Sequence, residues 1–186
     1  MILVVACAIG IVVLGATGSD LRRLATLEIH GAWLVWLALG TQVVGLTVFG
    51  HALGDDAAEM VHVGTYAAAA SFVAVNVHIP GVALMGLGGG LNLVAILANG
   101  GVMPASARAW ELAGRGDGVG FANSVPVSDP KLLLLGDVFA IPHHLPLSNV
   151  FSIGDVILVV GLLWMVRRCC RPPVPATDAL VSSQAG

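Results

Sequence analysis

Two aspartates near the C-terminal end are the residues best suited to chemistry. Asp137 and Asp155 lie in the segment LGDVFAIPHHLPLSNVFSIGDVILVVG, residues 135–161. Two carboxylates about one water apart can share a proton and activate that water, which is the chemistry of an aspartyl hydrolase. Asp155 also suits a structural role, because Ser152 and Asp155 have the spacing of a helix capping box. The sequence leaves both interpretations open.

The composition is that of a chain in contact with lipid. The 186 residues are 57% hydrophobic and 10% charged, and the mean hydropathy is +0.93. A soluble domain typically carries about a quarter charged residues. The net charge of −3 and the lack of a basic stripe exclude a nucleic-acid partner. Three cysteines do not make a disulfide framework.

Charges and helix breakers divide the chain into five apolar segments. We therefore predict an all-α fold, a polytopic transmembrane helical bundle over residues 1–167, with a long outer loop at 100–150 before the last span. A turn at NVHIPG separates the third span from the fourth, since proline disfavours helix in the residue before it. Residues 168–186 are predicted to be a disordered cytoplasmic tail. The predicted spans are about 1–18, 31–50, 60–78, 82–99 and 151–166.

The distribution of arginines predicts an orientation. Lys and Arg are enriched in cytoplasmic segments of membrane proteins. The N-terminus is then outside, the C-terminus is cytoplasmic, and the protein is a multi-pass component of a bacterial plasma membrane. This arrangement places five arginines on the cytoplasmic side: Arg22, Arg23, Arg167, Arg168 and Arg171.

Polar residues inside the apolar segments predict a binding pocket. At a rise of about 1.5 Å per residue, Gln42 and Asn92 lie about 17 Å and Asp155 about 18 Å above the cytoplasmic boundary. Tyr66 and Asn99 lie higher. Buried polar groups without partners are costly, so these side chains are expected to line an outward-facing polar pocket. The pocket would bind a lipid, a peptide or a membrane partner.

No metal or cofactor is predicted. His143 and His144 are adjacent, and neighbours in an extended segment point to opposite faces. The spacings HxxxH and CxxC, which are typical of metal sites, do not occur. The glycines of GLGGGLN are not a nucleotide loop, since no strand precedes them and no lysine follows. Gly86 and Gly90 have the GxxxG spacing of helix packing instead.

Three motifs resemble a catalogued family: NLVAILANGGVMP (92–104), LGDVFAIP (135–142) and NVFSIGDVILVVG (149–161). Together they are similar to the signature of a bacterial membrane family known as domain of unknown function family 5317. The resemblance covers most of the chain except the tail. It implies the same layout of spans and long loop, and it implies no activity, because the family has none assigned.

A fainter similarity is to lipoprotein signal peptidase, an intramembrane aspartyl enzyme. GLGGGLN approximates that family's GGALGN, with Asn92 in the asparagine position. Its two aspartates lie before and at the start of the last span, as Asp137 and Asp155 do. The family's Asp-Arg after the asparagine is replaced here by LVAI, and Asn149 is farther from Asp155 than the corresponding asparagine is.

Two function classes therefore follow from the sequence. The first is a non-enzymatic binding or accessory component whose partners are the lipid bilayer and a lipid or membrane protein that contacts the long loop. The alternative is an intramembrane aspartyl hydrolase that uses Asp137 and Asp155. A transporter is disfavoured, because the chain has no inverted repeat and few charges within its apolar segments.

Overall fold

The computed structural model describes residues 2–48, 55–115, 124–126 and 129–171, and the described part is mostly helical. Two 3₁₀ helices, Leu21–Thr26 and Leu133–Leu135, add to the α-helices. The α-helices are α1 (Ile2–Ala16), α2 (Ala32–Val48), α3 (Asp55–Asn76), α4 (Val82–Ala98), α5 (Ala107–Leu112) and α6 (Ile153–Cys169).

The predicted transmembrane bundle is wrong. Among the described residues, no helix combines the length and the apolar character needed to cross a membrane. A span needs about 20 apolar residues, whereas α1 has 15 residues and α2, α4 and α6 have 17 each. Helix α3 has 22 residues but begins with the acidic sequence DDAAE.

Turns at the ends of two apolar segments fix where α2 begins and where α4 ends. Hydropathy counts apolar residues without recording where a helix ends. Gly31, Gly100 and Gly101 have positive φ angles of 65°, 69° and 91°, a conformation that glycine adopts without steric cost and that ends regular helix. Helix α2 therefore starts after Gly31, and α4 stops before Asn99.

The all-α prediction is also wrong, because the segment predicted as a long outer loop contains two small sheets. Strand β1 (Met103–Ala105) pairs in parallel with β2 (Ser124–Pro126), in the register Met103 to Ser124. Strand β3 (Phe139–Ile141) pairs antiparallel with β4 (Asn149–Phe151), in the register Phe139 to Phe151. The two phenylalanine rings stack with centroids 5.4 Å apart. Backbone pairing of this kind satisfies polar groups that burial would otherwise leave without partners.

Helices α4 and α6 pack antiparallel through glycines. A Cβ atom on Gly81 would lie 2.2 Å from the carbonyl oxygen of Gly161, and one on Gly88 would lie 2.5 Å from that of Gly154. The two glycines of each helix are seven residues apart, so they repeat on one face. Because glycine has no side chain, the two backbones approach closely and the first turn of α6 lies beside the middle of α4.

Other contacts attach the N-terminal elements to this pair. Helix α1 packs on α6, where a Cβ on Gly10 would lie 2.5 Å from the Leu163 side chain. The backbone N–H of Asp20 donates to the Cys170 carbonyl at 2.9 Å. The loop before α2 is held to the end of α3, because the fully buried Asn76 side chain bonds both the N–H and the carbonyl of His30.

The start of the predicted tail is helical, since α6 continues to Cys169. Residues 172–186, the rest of the predicted tail, lie outside the described residues.

Candidate functional site

A closed hydrogen-bond network joins Asn92 of α4 to the first turn of α6. The Asn92 amide Nδ2 donates to Asp155 Oδ1 at 2.8 Å, and the Ser152 hydroxyl donates to Asn92 Oδ1 at 2.8 Å. Within α6, the Asp155 N–H donates to Ser152 Oγ at 3.0 Å, and the Ser152 N–H donates to Asp155 Oδ2 at 3.2 Å. We call Asn92, Ser152 and Asp155 the α4–α6 triad.

The capping box expected from the sequence is present in full. Ser152 is the N-cap of α6, with φ −102° and ψ 170°, and Asp155 is the third helical residue. This arrangement satisfies two of the backbone donors that a helix start leaves open. The carboxylate in the first turn also complements the positive end of the helix dipole.

Glycine at position 154 makes room for the network. A Cβ on Gly154 would lie 2.0 Å from Asn92 Oδ1 and 2.6 Å from the Gly88 carbonyl oxygen. Any side chain there would displace Asn92 or push the two helices apart. The close packing of α4 on α6 and the hydrogen bonds of the triad therefore depend on each other.

The triad orients its carboxylate but lacks the geometry of an activated nucleophile. The Ser152 hydroxyl donates its proton to an amide oxygen, which is not a base, and Ser152 is fully buried. Both oxygens of Asp155 accept a hydrogen bond, and each keeps acceptor capacity for another donor. Asn92 and Asp155 are each half-buried.

Asp137 is a buried residue between the second 3₁₀ helix and β3. It is 5% exposed, which is rare for an aspartate, and it forms a parallel bridge with Ala105. Its N–H donates to the Pro104 carbonyl at 2.9 Å, and its carbonyl accepts from the Ser106 N–H at 3.1 Å. Gly136 permits this approach, because a Cβ there would lie 2.2 Å from the Pro104 carbonyl oxygen.

The backbone contacts of Asp137 are with the start of the α5 region, whereas the carboxylate of Asp155 bonds Asn92 and Ser152. The shared catalytic role of the two aspartates stays a prediction.

The other three predicted binding residues lie on three different helices or helix ends: Asn99 after α4, Tyr66 in α3 and Gln42 in α2. Asn99 bonds the backbone of Lys131 in both directions, at 2.8 Å to the carbonyl and 2.9 Å from the N–H, and so holds that segment at the end of α4. Tyr66 is half-buried on α3, and burial raises the pKa of its phenol. Gln42 belongs to α2, but its side chain lies outside the described part of the structure. Among the predicted site residues, a direct side-chain hydrogen bond joins Asn92 to Asp155.

Sequence reasoning did not place Ser152 and Asn76 among the site residues, although both are fully buried. Both could have been identified from nearby residues, because Ser152 lies three residues before an aspartate and Asn76 begins the predicted turn NVHIPG.

Within the described residues, no group of three or more His, Cys, Asp or Glu could hold a metal ion. His143 and His144 have nearly perpendicular rings with centroids 5.7 Å apart.

Comparison with known proteins places the triad within a family. Residues 26–167 match a family described as a family of unknown function, DUF5317. The chain belongs to this family. The match includes all three members of the triad and Asp137, and it leaves out α1. No curated protein and no solved structure matches the chain. The similarity to lipoprotein signal peptidase gains no support from these comparisons.

Proposed function

We propose that the protein is a non-enzymatic lipid-binding component. Apolar faces of its helices contact acyl chains, and the Asn92–Asp155 pair is the polar contact of a partly exposed pocket. The lipid surface that we propose is the bacterial plasma membrane, which the protein contacts without the predicted transmembrane bundle.

The observation that carries this proposal is the exposure of large apolar side chains. On α1, Val4 is 72% exposed and Val12 is 67% exposed. On α2, Trp33 is 65% exposed and Trp36 is 72% exposed, and Leu134 of the second 3₁₀ helix is 83% exposed. Extended exposed apolar surface marks a site of interaction with lipid or protein. Tryptophan is the residue that favours the lipid–water interface.

The triad supports the polar part of the proposal. Asp155 is half-buried, each of its two oxygens accepts one hydrogen bond, and each keeps capacity for a further donor. A ligand hydroxyl or ammonium group would donate to it. Since the Asn92 amide already uses one donor and its oxygen on the network, the pair is fixed in place before any ligand arrives.

Flotation with lipid vesicles tests the proposal. The full chain is synthesised in a cell-free system with phosphatidylcholine vesicles and then centrifuged through a density gradient. We expect it to float with the vesicles, and we expect W33Q/W36Q to float less because two exposed aromatic side chains are lost. The control W110F changes a half-buried tryptophan that packs on Ala109, Ala113 and Val150. A chain that stays at the bottom of the gradient would refute lipid binding.

An aspartyl hydrolase is the second candidate, and the burial of Asp137 favours it. Asp137 is 5% exposed as a residue, and a buried carboxyl beside a second carboxylate is suited to general acid–base catalysis. A dyad needs both ionisable groups, so D137N and D155N should each abolish hydrolysis of a fluorescent casein probe by the full chain, while circular dichroism shows intact helices. Hydrolysis that persists in D137N would exclude the dyad. The lipid-binding proposal expects no hydrolysis by the unchanged chain.

A further inference from the structure

Five of the eight basic residues converge at one end of the described structure. They come from the first 3₁₀ helix and from the end of α6, which pack against each other. The Arg23 guanidinium donates to the Arg171 carbonyl, and the Asp20 N–H donates to the Cys170 carbonyl at 2.9 Å. We call this set the arginine end: Arg22, Arg23, Arg167, Arg168 and Arg171.

The arginine end is a local excess of positive charge on a chain whose net charge is −3. All five arginines are exposed. Among the described residues, the acidic ones nearest to them in sequence are Asp20 and Glu28, and Asp20 Oδ1 accepts a hydrogen bond from the backbone N–H of Arg22 at 3.2 Å. Five guanidinium groups against two carboxylates make the described part of this region positive.

An exposed apolar surface adjoins these charges. Trp164 is 49% exposed and lies one turn before Arg168, whose guanidinium carbon is 5.2 Å from the centre of the indole ring. Val160, one further turn away, is 50% exposed. Basic and aromatic side chains beside apolar ones are typical of a surface that lies at the boundary between headgroups and acyl chains.

We infer that the arginine end binds the anionic headgroups of a lipid surface. The inference rests on the proposed lipid binding and adds the class of headgroup. A guanidinium group presents a planar pair of donors that matches phosphate oxygens. Each basic residue near an anionic membrane surface strengthens binding by roughly fivefold. The exposed apolar helix faces would bind any lipid, so selectivity for anionic lipid is the part that the arginines supply.

The test compares two vesicle compositions, phosphatidylcholine alone and phosphatidylcholine with phosphatidylglycerol, by flotation of the full chain. We expect stronger binding to the anionic vesicles at low salt, and a loss of that difference at high salt because ions screen the attraction. The variant R22Q/R167Q removes one arginine from each element. It should reduce binding to anionic vesicles by roughly 25-fold and leave binding to phosphatidylcholine unchanged.

The matched control is R108Q/K131Q, which removes two exposed basic residues from outside the arginine end. It should bind both vesicles as the unchanged chain does. A second variant, R22K/R167K, keeps the charge and should retain the preference for anionic vesicles. Circular dichroism of each variant checks that the helices are intact.

Each other outcome has a defined meaning. Equal binding of the unchanged chain to both vesicles would overturn the headgroup inference while lipid binding stands. An equal loss in R22Q/R167Q and R108Q/K131Q would show a general effect of charge and overturn the inference too. Release from anionic vesicles by inorganic phosphate, but not by chloride at the same ionic strength, would indicate a site for the free anion and overturn the inference of a lipid surface. Binding of a single-stranded oligonucleotide that is tighter than binding of anionic vesicles in the same buffer would assign the surface to nucleic acid and overturn the inference too. Failure to bind either vesicle would refute the proposed function, and this inference with it.

Discussion

Replacing Asn92 by alanine tests whether the triad holds α4 against α6. The change removes the hydrogen bond to the Asp155 carboxylate and the one from the Ser152 hydroxyl, both 2.8 Å long. A hydrogen bond to a charged group contributes about 1.5–3 kcal/mol, and one between neutral groups about 1 kcal/mol. Asp155 is only half-buried, so in N92A water can hydrogen-bond its carboxylate in place of the lost Asn92 amide and offset part of the loss. We therefore expect N92A to lower the free energy of unfolding by about 2–3 kcal/mol.

Urea unfolding of the full chain, followed by circular dichroism, measures this loss. The control S71A removes an exposed hydroxyl that bonds only a carbonyl of its own helix in the contacts described, and it should change stability by less than about 0.5 kcal/mol. The double variant N92A/S152A should lose less than the sum of the single losses, because the two residues share a hydrogen bond. A destabilisation by N92A no larger than that of S71A, or strict additivity in the cycle, would refute the structural role of the triad.

Three further predictions concern the packing of α4, the Asn99 contact and a buried thiol. G154A should destabilise the fold by more than about 2 kcal/mol in the same urea assay, since its Cβ would meet backbone, whereas G89A, with open space around it, should be neutral or stabilising. N99A should speed hydrogen exchange at the Lys131 amide, measured by mass spectrometry, because that N–H loses its acceptor; unchanged exchange would contradict the contact. Burial raises the pKa of the Cys170 thiol above 9.0, so the unfolded chain ionises first and stability should fall as pH rises above about 9. C170A should flatten that decline, and an equally steep decline would refute the assignment.

The sequence predicted the parts of the site that depend on local spacing. Ser152 and Asp155 form the expected capping box because a capping box is built within four consecutive residues. The proximity of Asn92 and Asp155 was also expected, from the rise of each helix. The glycine pairs that create this proximity, Gly81 with Gly161 and Gly88 with Gly154, were not identified, since they lie on two helices far apart in sequence.

The errors came from features that hydropathy does not record. The predicted spans 31–50 and 82–99 are bounded by glycines with positive φ, Gly31 before α2 and Gly100 after α4, and the helices between these turns have only 17 residues each. The sheets within 100–151 were missed because each strand has only 3 residues, too few to show the two-residue alternation of a strand. The pairing of β1 with β2 and the bridge from Ala105 to Asp137 also join residues far apart in the chain.

The most direct test of the lipid-binding proposal is quenching of tryptophan fluorescence by brominated lipid. The chain has four tryptophans, so a variant with W110F and W164F reports Trp33 and Trp36 alone. A second variant with W33F, W36F and W164F reports Trp110. The proposal predicts strong quenching of Trp33 and Trp36, which are 65% and 72% exposed, and weak quenching of the half-buried Trp110. Equal quenching in the two variants, or none in either, would contradict binding of lipid by the exposed helix faces.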